Sequence, residues 1–192
     1  MCFYAGGLGS LVGDKLDTLR FLFHEARVPF DHSLREPALA LTPWEVFARG
    51  KHNYIVGNGQ YVGLKAALSK LLYDKLAPIV NPLLNRSEDY SNFFDQFEFL
   101  LGLSNLELIE RGVRGRDRRD ALVGRFATFY EGSKFVSRME VELGLRKDDW
   151  PPIRARLIDC SYQECEALMA RHRKEVDLFR GNKRYGWRPN HT

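Results

Sequence analysis

Cysteine is scarce in this chain: three among 192 residues, Cys2, Cys160 and Cys165. An odd, sparse set excludes a disulfide framework, and free thiols suit a reducing compartment. Long apolar runs are missing too. Nothing approaches the roughly 18 apolar residues of a membrane span, and the longest apolar cluster, Phe97 to Leu103, is broken by Glu98 and Gly102. The start, Met1-Cys2-Phe3-Tyr4-Ala5-Gly6-Gly7, has neither the basic region nor the apolar stretch of a signal peptide. Low-complexity tracts and tandem repeats are absent, which excludes collagen-like, mucin-like and solenoid architectures. These absences lead to the expectation of a soluble, cytoplasmic protein with no membrane segment.

The composition is that of a globular domain, with 44% hydrophobic and 28% charged residues. The length is enough to bury a core without staples. A net charge of +4 is unremarkable as a total, but its placement is not even. Residues 111–125 hold six arginines against Asp117 and Asp120, a net of +4. Residues 171–192 hold seven Lys and Arg against Glu175 and Asp177, a net of +5. Together they carry +9, which leaves the other 155 residues at −5. Focused positive charge attracts polyanions.

Helical periodicity dominates the pattern. Leu16, Leu19, Leu22, Phe23 and Ala26 share a face over 14–26, and Val28-Pro29 ends that helix. Thr42-Pro43-Trp44-Glu45 reads as a capping box with proline at the first helical position. An apolar stripe over 64–77 predicts a helix that Pro78 and Pro82 break or kink. Residues 88–110 are apolar on most sides, which places that helix at the centre of a bundle. A helix over 117–131 is expected to stop at Gly132-Ser133, with another over 134–146. Ser161-Tyr162-Gln163-Glu164 is a second capping box, opening a helix that runs to about Arg180. The reading is all-α: a single-domain bundle of about seven helices over 1–180 with a basic tail at 181–192, and room for one short β-hairpin at 54–62 around Gly57-Asn58-Gly59.

No catalytic motif of high specificity is present. Gly7-Leu8-Gly9-Ser10-Leu11-Val12-Gly13-Asp14-Lys15 and Gly57-Asn58-Gly59-Gln60-Tyr61-Val62-Gly63-Leu64-Lys65 share the form G-x-G-x-x-V-G-x-K. Such loops could cradle phosphate at a helix start, although neither fits the Walker or the dinucleotide fingerprint. Cys160 and Cys165 do not converge on a continuous helix, where four intervening residues set them about 140° apart, so they do not make a metal site with His172. No cofactor and no metal are expected. Arg27-Val28-Pro29-Phe30-Asp31-His32 resembles the helical HEPN ribonucleases in its Arg-x4-His spacing. That resemblance would imply Arg27 stabilising phosphate charge and His32 moving a proton. It is confined to the pair, and Pro29 departs from the helical setting of those enzymes.

The sequence points foremost to a helical binding module. Arg111, Arg114, Arg116, Arg118 and Arg119, with Lys183, Arg184 and Trp187, form the expected polyanion-binding set, because guanidinium binds phosphate bidentately and aromatic rings stack on bases. Nucleic acid is the expected partner, ahead of an acidic protein surface. A nucleic-acid- or nucleotide-acting enzyme and a self-associating structural subunit (a homo-oligomer) are the alternatives.

Overall fold

The computed structural model describes residues 2–30, 33–35, 66–84, 87–112, 124–128 and 130–181. Seven α-helices account for most of this: α1 (Cys2–Val12), α2 (Leu16–Arg20), α3 (Ala67–Val80), α4 (Ser87–Glu110), α5 (Tyr130–Arg146), α6 (Pro151–Arg154) and α7 (Tyr162–Gly181). A π turn, Phe21–Glu25, prolongs α2, and short 3-10 turns occupy Asn81–Leu83, Arg125–Thr128 and Lys147–Asp149. The all-α bundle read from the sequence is therefore the architecture found.

The long helix α4 is the hub. Residues 97–108 are buried without exception, and α1, α3 and α7 all pack against it. Its aromatics divide between two sides. Phe94 and Phe97 meet Tyr4 of α1 and Phe23 of the π turn, with Tyr4–Phe97 centroids 4.8 Å apart. Phe99 instead meets Phe126, Phe135 of α5 and His172 of α7. Each fully buried ring contributes about 1.5–3 kcal/mol of apolar transfer, so this helix holds the bundle together.

Several local expectations change. The run Cys2 to Val12, whose glycines were expected to form a phosphate loop at a helix start, is continuous helix. Gly7 is buried there because a Cβ would strike the Phe97 ring. The glycine is thus a packing residue, and residues 7–13 present no phosphate loop; the second copy, 57–63, lies outside the described residues. After the π turn, Val28–Phe30 (β1) pairs antiparallel with Ser33–Arg35 (β2), in the register Val28↔Arg35, Pro29↔Leu34 and Phe30↔Ser33. Val28-Pro29, which ends the helical pattern, thus enters a strand, because the residue before proline favours extended backbone. The hairpin expected at 54–62 and the helix start at Thr42 lie outside the described residues. Gly132-Ser133 does not stop a helix, since α5 runs through both. They fall in its first turn, where N–H groups have no intrahelical partner in any case. Pro78 falls in the last turn of α3, which continues to Val80 before the 3-10 turn.

Candidate functional site

Where α2, α4 and the turn after α6 meet, Arg20, His24, Glu25, Glu107, Leu108, Arg111, Arg156 and Asp159 line a cleft of about 270 Å³. Its geometry begins with the π turn. Ala26 N–H donates to Phe21 O at 2.8 Å, the wide spacing of that turn, which occurs often at functional positions. It carries His24 inward, and His24 Nε2 sits 2.8 Å from Leu157 O. Ser104 Oγ of α4 donates to the same carbonyl at 3.3 Å, so three elements are fixed at Leu157.

Arg156 is the unusual residue of the cleft. It adopts φ +53° at the end of α6. Its N–H donates to Ile153 O at 2.8 Å, and Leu157 N–H donates to Pro152 O at 2.9 Å. This pair of bonds is a Schellman motif with Arg156 at the left-handed position that glycine ordinarily takes. The backbone tolerates an unfavourable residue in order to place a guanidinium at the cleft edge. Among the described residues Arg156 makes no ion pair.

The other guanidiniums are held by carboxylates. Arg20 pairs with Glu25. Arg111 Nη2 lies 2.9 Å from Glu107 Oε1 and 3.2 Å from Asp159 Oδ2. Glu107 Oε1 also accepts the Asp159 N–H at 3.0 Å. The second oxygen, Oε2, is buried with no hydrogen-bond partner, on a residue only 4% exposed. Burial pushes the Glu107 carboxyl above its ordinary range, and Arg111 opposes that shift. A buried acceptor without a donor is costly, which agrees with burial making this carboxyl hold its proton more tightly. Just outside the cleft, Arg171 reaches Glu110 at 2.6 Å.

Of the residues expected to bind nucleic acid, Arg111 is the one described, and it enters this cleft at the foot of the arginine-rich segment. Arg114, Arg116, Arg118, Arg119, Lys183, Arg184 and Trp187 lie outside the described residues. Arg27 is turned to the preceding backbone, where its Nη1 donates to the carbonyls of His24 and Ala26 and so caps the π turn. His32 lies outside the described residues. The sequence reading missed Arg20 and His24, although their i,i+4 spacing is a legible same-face signal. It also missed Glu107, which reads as one polar residue in an apolar helix.

Glu140 and Glu142 do not converge: Glu140 pairs with Arg173 of α7, and Glu142 lies 3.6 Å from Arg146. His172 is wholly buried against Phe99 and Phe126. No group of three His, Cys, Asp or Glu among the described residues is placed to hold a metal ion. None of the described helices is long and apolar enough to cross a membrane. The two cysteines near α7 require a correction. The chain is not one helix through Cys160, because the turn after α6 ends there and α7 begins at a reciprocal cap. Cys160 and Cys165 therefore stand on the two sides of that cap, at the two positions that face each other across a capping box. Comparison with protein-family models, with curated proteins and with solved structures gives no match for this chain.

Proposed function

We propose that this chain is a helical module that binds single-stranded nucleic acid, with the cleft receiving one nucleotide and the arginine-rich segments tracking the phosphates. The observation that carries the reading is the gathering of Arg20, Arg111 and Arg156 around one cleft at the root of residues 111–119. The Arg20–Glu25 ion pair does not argue against it. Exposed pairs such as Arg20–Glu25 are worth only about 0–1 kcal/mol, so a phosphate can displace the carboxylate and gain bidentate geometry. A cleft of about 270 Å³ falls just below the usual span of ligand pockets, roughly 300–1,000 Å³, which favours a single unsheathed nucleotide over a duplex groove.

Fluorescence anisotropy with labelled single-stranded RNA, single-stranded DNA and a duplex, each at about 50 and 200 mM salt, tests the reading. Single strands are expected to bind more tightly than duplex, with affinity falling steeply as salt rises. Absence of binding to every oligonucleotide at the lower salt, with binding to an acidic peptide instead, would replace nucleic acid by an acidic protein surface.

One observation favours a second reading, phosphodiester cleavage: His24 lies in the same cleft as Arg20, which pairs a proton carrier with a phosphate-stabilising cation. It requires cleavage of a bound RNA that is lost in His24→Ala while binding persists. An intact RNA after prolonged incubation with the wild-type protein removes it.

A further inference from the structure

The start of α7 holds a second piece of chemistry. Ser161 is the cap: its N–H donates to Glu164 Oε2 at 2.8 Å, and Glu164 N–H donates back to Ser161 Oγ at 3.4 Å. Cys165 N–H closes the first turn on Ser161 O at 2.9 Å. Counting from that cap, Cys160 is the residue before it and Cys165 is the fourth helical residue. These are the two positions whose side chains meet across a capping box, where apolar residues ordinarily form a staple. Both belong to one packed cluster, Cys165 fully buried within it and Cys160 half-buried at its edge. Hydrogen bonding to Cys160 and burial push the Cys165 thiol far up.

We propose that Cys160 and Cys165 form an oxidisable dithiol that closes reversibly to an intramolecular disulfide across the cap of α7. The accessible partner reacts first. The Cys160 sulfur attacks hydrogen peroxide, an S–O bond forms, the O–O bond breaks, and the departing hydroxide takes the thiol proton to leave as water. The Cys165 sulfur then attacks the sulfenic sulfur of Cys160. An S–S bond forms, the S–O bond breaks, and the second hydroxide leaves with the Cys165 proton. Two thiols lose two electrons, and one peroxide becomes two waters. A dithiol such as dithiothreitol reopens the bond by two successive exchanges through a mixed disulfide, returning both thiols and becoming a disulfide itself.

The location gives the pair a consequence. Asp159, the residue before Cys160, lines the cleft, its carboxylate facing Arg111 and its N–H holding Glu107. The disulfide ties that wall to α7. The pair itself does not depend on the nucleic-acid reading, and its test measures thiols rather than binding, so the two can fail separately.

Both cysteines fall in one tryptic peptide, residues 157–171, while Cys2 falls elsewhere and serves as the lone-thiol control. The folded protein is treated with peroxide, alkylated with iodoacetamide, digested and weighed. The expected product is a 157–171 peptide lighter by two hydrogens and carrying no alkyl group, which regains two alkyl groups after dithiothreitol. A peptide in which Cys160 is oxidised alone and Cys165 is alkylated would overturn the proposal, as would two alkylated cysteines at a dose that oxidises Cys2. Glu164→Ala removes one half of the exposed cap and is expected to slow closure severalfold. An unchanged rate would show that the cap does not bring the sulfurs together.

Discussion

Glu98 stands between Phe97 and Phe99 with no exposed surface. Its Oε2 accepts from Ser69 Oγ at 2.7 Å and from the Arg125 N–H at 3.1 Å. Burial outweighs those bonds and raises the carboxyl to about 8 from an ordinary 4.5, so it is an acid at neutral pH. Glu98 in turn helps burial to push the Tyr4 phenol upward. Asp95 follows the same direction, raised to about 6 from 3.8 by burial, although Arg125 Nε lies 3.0 Å from its Oδ1. Arg125 itself lies over the Tyr73 ring at 3.7 Å. The sign of the pH effect follows from linkage. A folded pKa above the unfolded one means that the native state holds its proton more tightly. Its contribution is complete below the unfolded value of 4.5 and is lost as pH rises through about 8. The urea midpoint is therefore expected to fall between pH 5 and 8.5, by an amount on the order of a few kcal/mol in stability. Glu98→Gln keeps an acceptor for Ser69 and is expected to flatten most of that fall. A wild-type midpoint that holds level from pH 5 to 8.5 would contradict it. The sequence showed Glu98 only as an interruption in an apolar cluster. Its role needed Ser69 and Arg125, which are distant in the chain and meet it only in the fold.

Two glycines of one helix have opposite reasons for being there. Alanine at a helix interior is favoured over glycine by about 1 kcal/mol. At Gly9 an added Cβ meets nothing within 4 Å, so Gly9→Ala is expected to stabilise by up to that amount. At Gly7 the Cβ strikes Phe97 at the heart of the cluster, and overpacking of about 1–3 kcal/mol outweighs the propensity gain. Gly7→Ala is expected to lower the thermal midpoint and Gly9→Ala to raise it; shifts of the same sign would refute the packing account. The turn after α6 makes the parallel case for a site. Arg156→Gly relieves a left-handed residue worth about 1 kcal/mol and should raise stability, while oligonucleotide affinity falls. Measuring both on the same variant separates the two roles. Helices were legible because apolar residues recur at their spacing, and the cap at Ser161 because its two hydrogen-bonding partners are three residues apart. Breaks were less legible. Gly132-Ser133 and the glycines of α1 carry the composition of turns, but helix position and the approach of Phe97 decide their conformation.

Across the whole molecule the sequence locates charge along the chain, and the fold decides which of those charges share a surface. Arg20, Arg111 and Arg156 are separated by tens of residues, yet they surround one cleft, a convergence no local pattern could disclose. Arg20 and Arg156 lie in parts of the chain that carry no basic run, so they add to the arginine-rich segments rather than repeat them. If each contacts a phosphate, each should contribute to the release of condensed counterions. The slope of log affinity against log salt for single strands is about −0.7 per phosphate neutralised. Arg20→Ala with Arg156→Ala is therefore expected to make that slope shallower by about 1.4, and to weaken binding most at low salt. Glu107→Gln should leave the slope unchanged, because that buried carboxylate is directed at Arg111 and the Asp159 N–H rather than at a phosphate. The measurement is an anisotropy titration at four or more salt concentrations with homopolymeric strands of equal length. Equal slopes for the wild type and the double variant would mean that Arg20 and Arg156 do not touch phosphate. Positive charge would then act only through the segments 111–125 and 171–192, with Arg111 as the one guanidinium by which the cleft shares in binding.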